Sequence, residues 1–300
     1  MVGQAPAGTP GLIRGFAHYA AIDWSGAAGE RQRGIAVALC PPGDAAPVLV
    51  RPGAVWSRAE VLHWLRHDLP GDTLVGMDLG ISLPFADAGA FLPGWEHSPA
   101  DARALWALID EVCADDPHLA ATSFVDHPEI ARHFRRHGGR QGDLFPAGRG
   151  RMRVTERAQE AAGCRPTSNF NLVGAAQVGK SSLTGMRLLH ALTGALPVWP
   201  IDPLHARGSV ICEIYTTIAA IAAGRTPARS KIRDGAELDQ ALAALGSRPC
   251  RLTGAIDDHT SDALITAAWL RRAAPTPALW RPAALTPQIA RTEGWTFGAI

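Results

Sequence analysis

With 300 residues, a net charge of +1 and 47% hydrophobic content, the chain can build a substantial core and carries no global field of the kind that marks a polyanion or membrane-surface binder. No apolar run approaches the ~18 residues that span a bilayer, and five scattered cysteines without a C-x-x-C argue against a disulfide framework or a zinc site. Reduced thiols of this kind fit a cytoplasmic protein. Of the 29 basic side chains only Lys180 and Lys231 are lysine, a bias that lowers the weight of any arginine count.

Residues 1–15 are rich in Gly and Pro and lack the charged and apolar regions of a signal peptide, so a disordered lead is expected, followed by a single domain over 16–300. Tyr19 to Ile22 reads as a short buried strand that closes on Asp23 and turns at once through Ser25-Gly26. Burying a carboxylate there is costly unless something cationic meets it, so Asp23 is expected at the mouth of a cleft; the plainer alternative is a turn aspartate. Arg33–Leu39 and Pro47–Val50 read as second and third strands, joined by connections short enough for antiparallel pairing. Ser57-Arg58-Ala59-Glu60 is a capping-box signature, continued by Val61, Leu62, Leu65 and Leu69 on one helical face. Thr73–Asp78 then repeats the first strand: an apolar run, an acid, a glycine turn.

The region from Pro84 to Arg207 breaks this rhythm and reads as a large helical insertion. A helix starts after Ser98-Pro99-Ala100-Asp101, with Ala102, Leu105, Trp106, Ile109 and Val112 on one side. Between Ala131 and Arg157 eight arginines stand against Asp143 and Glu156. A mobile solvated loop is one reading; the other is a phosphate-backbone contact through Arg135, Arg136, Arg149 and Arg151. Gly174 to Ser181 matches G-x-x-x-x-G-K-[ST], in which Gly174 and Gly179 shape a loop, Lys180 reaches phosphate oxygens and Ser181 a metal. Phe170–Val173 would be the strand before it and Ser181–Leu192 the helix after it. A nucleotide site there is weak, because the sequence downstream offers one convincing strand and the acid-tipped strands upstream would have no role.

Ser209–Glu213 is a third acid-tipped strand, Glu237–Leu245 a helix, and Asp258–Arg272 a helix that is apolar nearly all round and so expected to be buried. Asp258, His259 and Asp262 share one face of its first turns. An N-cap role accounts for Asp257 or Asp258, but not for Asp262 inside an apolar helix. Glu293–Gly298 reads as a short terminal strand. Several acids at strand ends beside an acid-rich helix start are the oxygen donors that Mg²⁺ or Mn²⁺ takes.

Asp23 and Asp78 on two strands and a His-x-x-Asp-Ala-Leu helix resemble the ribonuclease H fold, with a closing helix similar to that of RuvC-type junction resolvases. The nearer resemblance is to a bacterial and archaeal family described as predicted nucleases of that fold. It is carried by Ile22-Asp23-Trp24-Ser25-Gly26, Gly76-Met77-Asp78-Leu79-Gly80, Glu213-Ile214-Tyr215, Asp258-His259-Thr260-Ser261-Asp262-Ala263 and Glu293-Gly294-Trp295. Val173–Gly179 also resembles a segment of that family, which would make the phosphate-loop match a family loop. The chain departs from the pattern at Thr216, where a proline is expected after Tyr215.

The resemblance implies an α/β fold with a mixed five-stranded sheet, its first three strands antiparallel, helices on both faces and an insertion at about 84–207. It implies a nuclease that hydrolyses phosphodiester bonds of nucleic acid through Mg²⁺ or Mn²⁺. Asp23, Asp78 and Asp262 would be ligands, Asp258 a further candidate, and Glu213 or His259 would complete the site. The alternatives are a nucleotide-binding ATPase of the phosphate-loop or actin-like kind, and a non-catalytic module that binds nucleic acid or protein.

Overall fold

The computed structural model describes residues 15–174, 178–226 and 231–300. The expected disordered lead falls almost wholly outside them. Among the described residues eight strands form: β1 (His18–Asp23), β2 (Arg31–Gln32), β3 (Ala36–Cys40), β4 (Val48–Leu49), β5 (Trp56–Ser57), β6 (Thr73–Asp78), β7 (Val198–Trp199) and β8 (Val210–Glu213). The first helices are α1 (Arg58–His63), α2 (Ala102–Val112), α3 (Thr122–Asp126), α4 (Pro128–Ala131), α5 (Val154–Ala161) and α6 (Val178–Ala191). After them come α7 (Thr216–Ala222), α8 (Gly235–Ala244), α9 (Asp258–Ala273), α10 (Pro277–Trp280) and α11 (Pro287–Thr292).

The architecture is α/β, as expected, but the main sheet has six strands rather than five, in the order β4-β3-β1-β6-β8-β7. β4, β3 and β1 are antiparallel; β1, β6, β8 and β7 run parallel. The sixth strand, β7, lies inside the expected helical insertion and is two residues long, too short to register as a strand pattern. β2 and β5 form a separate two-stranded ladder. The expected terminal strand at Glu293–Gly298 reduces to one bridge between Glu213 and Thr296, because Gly294 and Gly298 both take positive φ and break the extended backbone.

Strand residues alternate between two cores, which is why β1, β6 and β8 read as nearly unbroken apolar runs. Ala20, Ile22, Val75, Met77 and Ile211 face Leu105, Trp106 and Ile109 of α2 and Leu183 and Met186 of α6. Tyr19, Ala21, Ala38, Leu74 and Cys212 face Ala263, Leu264, Ala267 and Leu270 of α9. α9 is capped by Asp257, whose side chain accepts from the Thr260 N–H, and it crosses β1, β3 and β6. Its close approach depends on Gly76: a Cβ there would stand 2.7 Å from Ile214 Cγ2 and 2.8 Å from Leu270 Cδ1. The capping box at Ser57 forms as expected, with Glu60 accepting from the Ser57 N–H at 2.7 Å.

Candidate functional site

Asp23 and Asp78 are register partners at the C-terminal ends of adjacent parallel strands. Side chains alternate with a period of two, so both carboxylates project from the sheet face that α9 covers. The first turns of α9 bring His259 and Asp262 over them. His259 Nδ1 lies 2.6 Å from Asp23 Oδ2, and Thr216 at the start of α7 donates from Oγ1 to Asp78 Oδ2 at 3.3 Å. Gly34 leaves room for the imidazole, since a Cβ there would stand 3.3 Å from His259 Cε1. These residues, with Asp258 and Lys231, line an open cleft of about 580 Å³.

The charges in this cleft are poorly compensated. Burial pushes Asp23 up from the usual carboxylate range, and the His259 imidazole beside it acts in the opposite sense. Asp78 is pushed well up, first by burial and then by the neighbouring charges of Asp23 and Asp262. Asp262 rises to about 7, again through burial and then through Asp23 and Asp258. His259 is raised by its bond to Asp23. The Lys231 ammonium pairs with Asp258 Oδ2, while Asp258 Oδ1 is buried without a hydrogen-bond partner.

The structure thus brings together Asp23, Asp78, Asp258, His259 and Asp262. Glu213 stands apart although it also lines the cleft. Its register partner is Met77, one position off the Asp23–Asp78 row, so its carboxylate leaves the opposite face of the sheet. There it takes a bidentate pair from Arg153 at 2.8 and 2.6 Å, the Ile81 N–H at 2.8 Å and the Thr296 hydroxyl. A carboxylate with four donors is a structural anchor, and a role in completing a metal site would require dismantling that set.

The arginine-rich segment is folded and cross-braced. Arg151 is nearly buried on Asp87 and on the Pro84, Ala90 and Phe91 carbonyls. Arg149 pairs with Glu160, and Arg136 with Asp126 and the Val125 carbonyl. Arg135 is exposed, and its backbone pairs with Phe170 and Leu172. None of the four lines the cleft; the arginines that do are Arg153 and Arg165.

The phosphate-loop match lacks its strand, because Phe170–Val173 contributes only a bridge at Asn171. Its helix is present as α6, beginning at Val178, with 175–177 outside the described residues. The helix start packs against the turn after Asp23: a Cβ on Gly26 would collide with the backbone of Lys180 and Ser181. Ser181 Oγ donates to the Val178 carbonyl in its own helix, and Lys180 is not among the cleft residues.

Lys231 and Arg165 are cleft residues that no sequence motif singles out, and Thr216 stands out only as the departure from the expected proline after Tyr215. Only the rarity of lysine in this chain points to Lys231. Among the described residues no group of three or more His, Cys, Asp or Glu side chains is arranged to hold a metal ion. The donors nonetheless fit a hard divalent cation in kind: carboxylate oxygens, mutually repelling, one of them buried and unpartnered. Mg²⁺ needs only one or two such carboxylates and keeps several waters. Among the described residues no helix is long and apolar enough to cross a membrane. No protein-family model, curated protein or solved structure matches the chain.

Proposed function

We propose that the chain is a divalent-metal-dependent hydrolase of phosphodiester bonds, with nucleic acid as its substrate and a ribonuclease H-like sheet as its scaffold. The observation that carries the metal-dependent reading is the in-register pairing of Asp23 with Asp78 beneath Asp262. The scaffold reading is supported by the run β4-β3-β1-β6-β8, three antiparallel strands followed by two parallel ones. Nucleic acid as substrate rests on the motif resemblance and on the cationic Arg165 and Lys231 at the cleft.

Asp23, Asp78 and Asp262 would hold the cation, with Asp258 at its edge. When bound, Mg²⁺ or Mn²⁺ supplies Lewis-acid stabilisation of a phosphoryl oxygen and an acidified water. Asp23 orients the His259 ring through Nδ1, which leaves Nε2 to exchange a proton in the cleft.

The test is a panel of single-stranded, duplex, hybrid and branched nucleic acids with Mg²⁺, Mn²⁺ or chelator, run beside Asp23→Asn. Cleavage that needs the cation and vanishes in the variant is the expected result. Binding without cleavage under every condition would favour the non-catalytic module and overturn the proposal.

A further inference from the structure

We propose that Lys231 is the resident counter-cation of the cleft: its ammonium holds Asp258 in the metal-free protein and yields that carboxylate when a divalent cation enters. This rests on the metal-binding reading of the same site and adds to it a competitor built into the chain.

Lys231 and Asp258 both line the cleft, and their side chains form an ion pair through Asp258 Oδ2. The other oxygen, Oδ1, is buried and lacks a hydrogen-bond partner, so the pair leaves Asp258 only half satisfied. Asp258 sits one helical turn before Asp262. Arg153, the most buried cation at the cleft, is committed to Glu156 and Glu213, and His259 to Asp23. Among the described residues Lys231 is the cation paired with Asp258 of α9.

The Lys231 carbonyl accepts from Arg225 Nη2 at 3.0 Å, and the next residue, Ile232, is fully buried. The root of the side chain is fixed, while 65% of the side chain is exposed. The ammonium can leave without unpacking the core. Lysine suits this better than the arginine the chain uses nearly everywhere else. An ammonium is a compact charge on a flexible stem, whereas a guanidinium grips two oxygens in a rigid fork and resists displacement.

The test is calorimetric titration of the whole protein with Mn²⁺ at pH 8, comparing the parent with Lys231→Met and Lys231→Arg. Removing the competing charge should tighten Mn²⁺ roughly two- to fivefold in Lys231→Met, the scale of a partly exposed ion pair, while Lys231→Arg gains nothing. In chelator, Lys231→Met should melt below the parent, and saturating Mn²⁺ should close that gap. If the parent binds Mn²⁺ and Lys231→Met binds it equally or more weakly, the counter-cation role is wrong. If Lys231→Met melts no lower than the parent in chelator, it is wrong as well. If neither the parent nor Lys231→Met binds Mn²⁺, it is the metal-dependent reading of the cleft that fails.

Discussion

Asp23 Oδ2 and His259 Nδ1 stand 2.6 Å apart, although 236 positions separate the two residues in the chain. The contact joins the end of the central strand β1 to the first turn of α9, and it gives a carboxylate that is only 7% exposed a hydrogen-bond partner. Without that partner Asp23 would be a buried, uncompensated acid.

Replacing His259 by Ala should therefore do two things. Cleavage should fall by about two to four orders of magnitude, the usual contribution of a positioned acid–base group. Substrate affinity should change little, because the ring touches an acid of the site and no cation that would hold phosphate. Single-turnover kinetics across pH checks this: the variant should lose one limb of the profile, whereas a purely structural histidine would leave the profile's shape unchanged.

Removing one of the mutually repelling acids should stabilise the metal-free protein. Asp78→Asn and Asp262→Asn keep the side-chain shape and delete a charge that burial and its neighbours disfavour. Both should raise stability in chelator, Asp262→Asn by at least about 1 kcal/mol, since a tenfold change in proton affinity on folding corresponds to ~1.4 kcal/mol. Both should lose Mn²⁺ binding. Urea denaturation in chelator at pH 8 measures the first effect and calorimetry the second; a destabilised Asp262→Asn would show that the carboxylates are compensated in some other way.

The acids were legible because each breaks a local rule. Asp23 and Asp78 end apolar runs, and Asp262 interrupts an apolar helix, so burial cost alone marked them as needing a partner. Glu213 ends the same kind of run, yet it serves a different face. What separates it is cross-strand register, with Glu213 opposite Met77 and Asp23 opposite Asp78. Register between strands more than a hundred residues apart is set by tertiary packing, and no single-strand pattern encodes it. The arginine segment is hard to read for a related reason. Arginine density suggests a surface, but the partners that consume it lie elsewhere in the chain: Asp87 for Arg151 and Glu213 for Arg153. Lys231 was hidden because its meaning depends on α9, which begins 27 positions later at Asp258.

Stability of the metal-free protein should fall as pH rises from acid to neutral. Asp262 moves from the ordinary 3.8 to about 7 on folding, so between those values the folded state binds more protons than the unfolded chain. Stability then decreases with pH across that window, and the raised Asp23, Asp78 and His259 act in the same direction. The melting temperature in chelator should be higher at pH 6 than at pH 8, and saturating Mg²⁺ should remove most of the difference. A metal-free melting temperature that rises between pH 6 and pH 8 would contradict the charge arrangement of the cleft.

The buried network around Arg153 gives the sharpest separation between structure and site. Arg153 is 1% exposed and pairs with Glu213 and Glu156, while its Nη1 also donates to the Glu293 carbonyl at 3.0 Å. Deleting one partner of such a group leaves uncompensated charge in the interior, at a cost of about 3–5 kcal/mol. Arg153→Met should lose stability on that scale, because two glutamates remain behind. Glu213→Gln should cost less than Arg153→Met, since one amide oxygen still accepts and Glu156 still balances the guanidinium, while the amide NH2 faces an Arg153 N–H and adds a penalty of its own. Where Glu213→Gln remains folded, it should bind Mn²⁺ as tightly as the parent, because its carboxylate belongs to the Arg153 network and not to the Asp23–Asp78 pair. Denaturant titration and Mn²⁺ calorimetry on the same samples check both statements. A tenfold or greater loss of Mn²⁺ affinity in folded Glu213→Gln would return Glu213 to the metal site and make its bond to Arg153 the state that metal binding must break.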